Sequence, residues 1–295
     1  MDQVTTQPLE ATRREFKLPP YLLLLFPAVT FMCLMYGYPF LSSIVRSFIN
    51  SQGEFSFENY SKTVDLYLKD IVFTLAVTVV STAVSAALAI LLSVYLRLRQ
   101  SPVSRLLAGL YKVPIFIPFV VVAQMMITFL APHGLLNLSL TKLGMIDLEY
   151  PLQLFNFYGL TFGFIWKMIP FSVLIIHGGF QMIDNSYIEA ARSCGAGLMK
   201  VITRVMIPMN RPSILVALVL VYSQIVGTFT LPYMLIGGKI PTTITVDIAH
   251  RINYFRDFGV ANALGVFSYL LVLLTAIYYL RSSVKKMAGV QDGEG

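Results

Sequence analysis

Two sets of residues in this sequence could do chemistry. The first lies in residues 184–212, where Glu189-Ala190-Ala191 is followed by Gly195 and then by Ile207-Pro208, among the cations Arg192, Lys200, Arg204 and Arg211. One carboxylate beside two small side chains makes no catalytic pair. It reads either as a solvated glutamate on a helix or as part of a surface presented to an aqueous partner, where the small Ala190 and Ala191 allow close approach. The second set is scattered through strongly apolar surroundings: Gln124, Lys167, His177, Tyr222, Gln224, Thr228 and Thr230. Polar groups in such segments are costly, so each faces protein, water or a passing solute. Catalytic motifs are missing. No G-x-x-x-x-G-K-[ST] phosphate loop, H-E-x-x-H or G-x-S-x-G occurs, and Gly238-Lys239 is followed by Ile240. Cys33 and Cys194 are too far apart for an expected disulfide, and neither they nor the lone His177 make a metal site. The sequence therefore implies no cofactor, no metal and no ATP hydrolysis by this chain alone.

The elements that position these residues are read from hydropathy. The chain is 56% hydrophobic and only 13% charged, with a mean hydropathy of +0.72, against roughly 25% charged in a soluble domain. Six segments have the length of about 20 apolar residues that a membrane-crossing helix needs: 19–44, 71–96, 106–131, 158–182, 213–236 and 260–280. The expected fold is all-α, a polytopic membrane protein of six transmembrane helices. It divides into an N-terminal segment 1–18, a transmembrane domain 19–282 and a C-terminal tail 283–295. The polar start is unlike a cleaved signal peptide, so the first span reads as retained. An even number of spans puts both termini on one face. That face collects 14 Lys and Arg, including Arg13, Arg14, Lys17 and the cations of 184–212, while the other face has 7. The positive-inside rule then places both termini and residues 184–212 in the cytoplasm. The net charge of +7 is a topology signal, and a nucleic-acid partner is not expected. The lipid bilayer is.

Within 184–212, residues 187–192 read as a short helix with Asp184, Asn185 or Ser186 as N-cap. Gly195 and Gly197 make an elbow, and 198–206 resume a helical pattern with Lys200 and Arg204 on another face from the apolar residues. In the second span Ser81, Thr82, Ala83, Ser85, Ala86, Ala87 and Ala89 predict a close helix–helix contact. Pro27 and Pro39 predict a kink in the first span, and Pro114 and Pro118 predict irregularity in the third. Gln124, Lys167, Tyr222, Gln224 and Thr228 are the candidates for a substrate pathway. Lys167 reads either as a solute contact or as a lysine paired with backbone carbonyls. Tyr222, Gln224 and Thr228 share one span with Pro232 behind them, the pattern of an interrupted helix near a transport site. Each is otherwise an interhelical hydrogen bond.

Glu189-Ala190-Ala191, Gly195 and Val205-Met206-Ile207-Pro208 resemble the EAA loop of permease subunits of binding-protein-dependent ABC importers. Ile207 stands where that family more often has leucine, and Gly197 is an extra glycine. The segment 133–145 resembles the family's G-L-x-N-x-x-L-x-x-x-G stretch, 48–60 with F-E-N-Y at its end resembles its first external loop, and Trp166-Lys167 is a pair the family often shows. The resemblance implies a coupling-helix loop between the fourth and fifth spans, with Glu189, Ala190, Ala191, Gly195, Ile207 and Pro208 meeting an ATPase. It further implies a bacterial or archaeal cytoplasmic (inner) membrane, a second permease subunit, two ATP-binding cassette subunits and an extracytoplasmic solute-binding protein. The loop 48–60 and G-L-L-N resemble the sugar branch. Thr228-Phe229-Thr230-Leu231-Pro232 with Gly237-Gly238 resembles the polyamine and iron branch, so sugar and polyamine solutes both stay open. The competing readings are a secondary transporter or channel working without an ATPase, and a membrane-embedded enzyme. Ion coupling needs carboxylates in the spans, and none of the 15 acidic residues falls inside one as predicted.

Overall fold

Proline placement decides where the third span breaks and where the first turns. The computed structural model describes residues 20–239 and 241–291, and the expected segment 1–18 lies outside them. The first helix runs Pro20–Met32 (α1), passes through a π turn at Cys33–Gly37 and resumes as Tyr38–Ser47 (α2). Pro39 brings no amide to the preceding turn, and the Tyr38 amide reaches back to the Cys33 carbonyl. The kink expected from the prolines is thus a π turn beside Pro39, while Pro27 sits inside α1. The next helix, Glu58–Leu98 (α3), has 41 residues without glycine or proline and spans about 60 Å at 1.5 Å per residue. It begins well before the predicted start at 71. Asp70, expected to lie outside the spans, is therefore inside a helix and buried.

The third span is corrected more heavily. Residues 106–131 do not form one helix. Pro102–Leu110 (α4) ends early, Val113–Phe116 is a 3₁₀ turn, and a new helix runs Phe119–Leu130 (α5). Pro114 and Pro118 remove two backbone donors within five residues, which no continuous helix tolerates. The segment 133–145, between the expected third and fourth spans, contains a helix, Leu135–Lys142 (α6), and α5 with α6 makes one apolar run of 24 residues. Phe157–Gln181 (α7) follows, matching its prediction within a residue at each end. Residues 184–212 fold as Asn185–Ser193 (α8), Leu198–Val201 (α9), a π turn at Ile202–Met206 and Ile207–Met209 (α10). A bend of 67° leads into Arg211–Gly227 (α11). The fifth span then breaks at Thr228 and Phe229 before Thr230–Ile236 (α12), the interruption that the sequence pattern predicts. Ile244–His250 (α13), unforeseen, precedes Phe258–Gln291 (α14), which continues as helix through much of the expected tail. Among the described residues, five helical runs are long and apolar enough to cross a membrane, and a sixth counts if the bent pair is one span.

The core forms where α3 and α7 lie side by side. Ser81, Thr82, Ser85, Ala86 and Ala89 of the small-residue face are buried there, while Ala83 and Ala87 face outward. Small side chains bring the two backbones close, so packing replaces a hydrophobic force that lipid does not supply. One apolar cluster joins Val77, Met126, Leu160, Phe164, Val221 and Leu231. A second joins Ala89, Phe180, Ile188, Val201, Met206 and Ala217 at the end that carries α8. At the opposite end α13 is fastened to α3. The Thr242 amide donates to Asp70 Oδ1 at 2.7 Å, and the Ile244 amide to Thr74 Oγ1 at 3.0 Å. Arg251 donates to the Tyr67 hydroxyl and lies 3.3 Å from Asp257. Asp247, on α13, keeps Oδ2 buried without a partner. Burial first, then the Asp70 charge, push its carboxyl up to about 8 against the opposing pull of Arg251.

That shift sets a sign. The folded chain holds a proton on Asp247 that the unfolded chain releases at an ordinary carboxylate pH, so stability falls as pH rises from about 4 to about 8. The loss is on the order of a few kcal/mol. Thermal melting of the purified protein across this range is expected to show the decline. Asp247→Asn should flatten it and melt higher than the parent at pH 8, and an unchanged pH profile in that variant would contradict the assignment.

Candidate functional site

The stretch 184–212 presents one face outward and packs the other. Asp184 caps α8, its Oδ1 accepting from the Ser186 amide at 2.8 Å. Gly195 sits at φ 79°, a left-handed conformation that costs other residues roughly 1–2 kcal/mol. Its amide returns to the Arg192 carbonyl, and the Ala196 amide to that of Ala191, closing α8. Ile188 of α8, Val201 of α9 and Met206 of the π turn are buried in the second apolar cluster. The six residues expected to couple therefore divide. Glu189, Ala190, Gly195 and Pro208 are exposed, while Ala191 and Ile207 are half-buried against the core. Around the exposed group lie Met182, Tyr187, Leu198 and Met199, all with large apolar surface in the open. Such a patch mixed with charge fits a protein partner.

Two residues that sequence reading counted only for charge, or passed over, hold this surface in place. Arg97, at the end of α3, donates through Nε to the Phe180 carbonyl at 3.0 Å. Its Nη2 donates to the Ile183 carbonyl at 2.8 Å and to Asn185 Oδ1 at 2.6 Å. The last carbonyls of a helix have no intrahelical donor and carry its negative end, so a guanidinium there answers both needs. Asn210 stands at the 67° bend, only 2% exposed, and donates through Nδ2 to the Ile176 carbonyl of α7 at 2.8 Å. Gly179 permits that approach, since a Cβ there would lie 1.9 Å from Asn210 Oδ1. The available signal for Arg97 was an arginine at a span end with a second helix terminus in reach. An uncharged amide between Pro208 and Pro212 was the signal for Asn210.

The candidate pathway residues do not converge on one channel. Gln124 lines a cavity of about 420 Å³ with Phe129, Phe162 and Trp166. Tyr222 lines another of about 430 Å³ with Thr82, Leu218 and Leu274. Lys167 and Gln224 meet at a third, about 370 Å³, walled by Ile117, Phe119, Met168 and Phe171. The Lys167 ammonium donates to the carbonyls of Pro114 at 2.9 Å, Ile115 at 3.3 Å and Ile117 at 2.6 Å. Pro118 has no amide to return to Pro114, so the broken third span leaves acceptors that the lysine fills. The reading of Lys167 as paired with backbone carbonyls is thus the one the geometry supports. Thr228 Oγ1 donates to the Gln224 carbonyl at 2.6 Å, spanning the last turn before the break between α11 and α12. His177 Nε2 lies 3.1 Å from Gln181 Nε2 on its own helix.

Comparison with known proteins bears on what such an arrangement is for. The chain is 29% identical over 280 residues to the sulfoquinovosyl glycerol transport system permease protein SmoG of Agrobacterium fabrum, covering 88% of each. It is 26% identical over 263 residues to the spermidine/putrescine transport system permease protein PotB of Salmonella typhimurium, covering 87% of this chain and 89% of that one. The fold matches a chain of a bacterial ABC transporter involved in the import of the acidic polysaccharide alginate, with a TM-score of 0.70 at 21% identity over 89% of this chain and 95% of that chain. Residues 85–285 match the model of the binding-protein-dependent transport system inner membrane components. The match covers α7, the outward face of α8 and the interrupted fifth span together, and the chain belongs to that family, as a membrane-spanning permease subunit of an ABC importer.

Proposed function

We propose that this permease translocates a small polar solute, a sugar or a polyamine-type compound, delivered by an extracytoplasmic solute-binding protein. Two ATP-binding cassette subunits hydrolyse the nucleotide, a second permease subunit completes the pathway, and this chain has no ATPase site of its own. The domain 19–282 spans the inner membrane, with the flanking segments and α8 in the cytoplasm. Glu189, Ala190, Gly195 and Pro208 form the contact with an ATPase subunit, and Ala191 and Ile207 anchor that contact to the core.

The observation that carries the coupling role is the Arg97 fork. A push on α8 reaches Asn185, and the same guanidinium holds the end of α7 and belongs to α3. Asn210 ties the other end of the loop, at the start of α11, to the middle of the last turns of α7. Closure of the ATPase subunits therefore moves α8, the end of α7 and the start of α11 together rather than bending the loop alone.

In the assembled complex, Glu189→Lys is expected to lower ATP-driven uptake by about tenfold or more, because a like charge replaces a complementary one at the contact. Gly195→Val should act alike through backbone strain; full uptake and normal ATPase recovery on copurification for both would rule the contact out. Arg97→Ala removes charge-assisted hydrogen bonds worth about 1.5–3 kcal/mol each. Its expected signature is uncoupling, with uptake falling further than ATP hydrolysis in proteoliposomes. Equal losses in both, or none, would deny Arg97 the transmitting role. Cys194 is exposed in the elbow of the loop. A membrane-impermeant maleimide should label it in inverted vesicles and spare it in intact cells, and the reverse pattern would overturn the topology.

A further inference from the structure

We propose that the cavity shared by Lys167 and Gln224 admits neutral or acidic polyhydroxylated solutes and excludes polycations, so that the cargo is of the sugar class. The inference rests on the importer reading above and narrows its substrate. Three carbonyl acceptors surround Lys167 Nζ. Only the ammonium has three N–H donors; a neutral amine has two. The geometry therefore fixes a full positive charge at the cavity wall, at a residue only 9% exposed. Carbonyl dipoles solvate that charge without cancelling it, and no carboxylate lines the cavity or pairs with Lys167 among the described residues.

The rest of the wall favours the same class. The face of Phe119 is already occupied by the Lys167 ammonium, 5.3 Å from the ring centroid. A second cation at this ring would meet the repulsion of the ammonium already held there. Gln224 is exposed to the cavity, and its side-chain amide makes no hydrogen bond within the described chain. Its two N–H donors suit carboxylate and hydroxyl oxygens, and its carbonyl accepts from a hydroxyl. Phe171 and Met168 supply the apolar surface against which a sugar ring lies. A polyamine entering here would place several ammonium groups beside a fixed like charge, with no acid to receive any of them. All three N–H groups of Lys167 are already committed, so it sets the field and Gln224 makes the contact.

The experiment is ATP-driven uptake by the whole complex with its co-encoded binding protein in proteoliposomes, using trehalose, a galacturonate disaccharide and spermidine as probes. Uptake of trehalose or the acidic disaccharide, with spermidine excluded, is expected. Gln224→Glu puts a carboxylate where an acidic solute must pass, and should depress uptake of an acidic sugar about tenfold more than that of a neutral one. Gln224→Leu, of similar size and uncharged, should raise KM for either sugar class. Accumulation of spermidine, uptake of none of the three while ATP hydrolysis still responds to the binding protein, or indifference of sugar uptake to both variants overturns the inference. Absence of binding-protein-stimulated ATP hydrolysis instead defeats the importer reading itself.

Discussion

One guanidinium decides how the loop at 184–212 sits on the rest of the chain. The end of α7 leaves carbonyls without intrahelical donors, and in an apolar setting each unpaired acceptor is costly. Arg97 satisfies those of Phe180 and Ile183 and, with the same fork, the side chain of Asn185 at the start of α8. A lysine in that place could offer donors but not the planar geometry that reaches two carbonyls and an amide at once. Three elements, α3 and the consecutive α7 and α8, thus share one charged group. The exposed surface of α8 has a fixed orientation because its root is held, not because the short helix is stable by itself.

Related contacts occur at three other places where the backbone turns or breaks. Pro118 denies Pro114 its α-helical donor, the Ile117 amide reaches that carbonyl at 3.3 Å instead, and Lys167 adds a second donor from α7. The bend after α10 brings Asn210 against α7, and its amide goes to Ile176. At the far end, Asp70 and Thr74 of α3 receive the backbone amides that open α13. Each of these contacts ties a broken segment to a neighbouring helix, which makes an interhelical joint of a local weakness. The long helix α7 takes part in three such joints, and α3 in two. These two rods, with their small-residue contact, are the frame on which the broken segments hang.

That pattern explains what was legible in the sequence. The span at α7 was found within a residue at each end, although Pro170 lies inside it, because its apolar run is bounded by polar residues on both sides. The α8 helix, the elbow at Gly195 and the interrupted fifth span were likewise visible as local patterns of caps, glycines and polar spacing. The start of α3 was missed because its first turns, with Glu58, Lys62, Asp65 and Asp70, are too polar for a hydropathy window although nothing in them stops a helix. The third span was misjudged because apolar composition hides the loss of backbone donors at Pro114 and Pro118. The α13 helix was missed because its capping partners lie more than a hundred residues earlier. Arg97 and Asn210 escaped for the same reason. Their partners are backbone carbonyls, and a carbonyl has no letter in the sequence.

The joints also connect the outward loop to the cavity. Gln224 lies in the last turn of α11, and its carbonyl is held by Thr228 Oγ1 at the break that separates α11 from α12. Beyond the break α12 buries Leu231, Leu235 and Ile236 in the first apolar cluster, beside Met126 of α5. Lys167 stands on α7, bonded to the turn that precedes α5. The two polar walls of the cavity therefore belong to different rods: Gln224 to α11, and Lys167 to α7 with its tethered turn. Asn210 joins those rods at the loop end, Val221 and Ile225 of α11 pack with Phe164 and Met168 of α7 nearer the cavity, and Thr245 Oγ1 of α13 donates to the Thr228 carbonyl at the break. A tilt of α11 about its Asn210 joint would change the distance between Gln224 and Lys167 while leaving α12 packed on α5. Under the proposed coupling, a small displacement of α8 would reach this polar site through the Asn210 joint and α11.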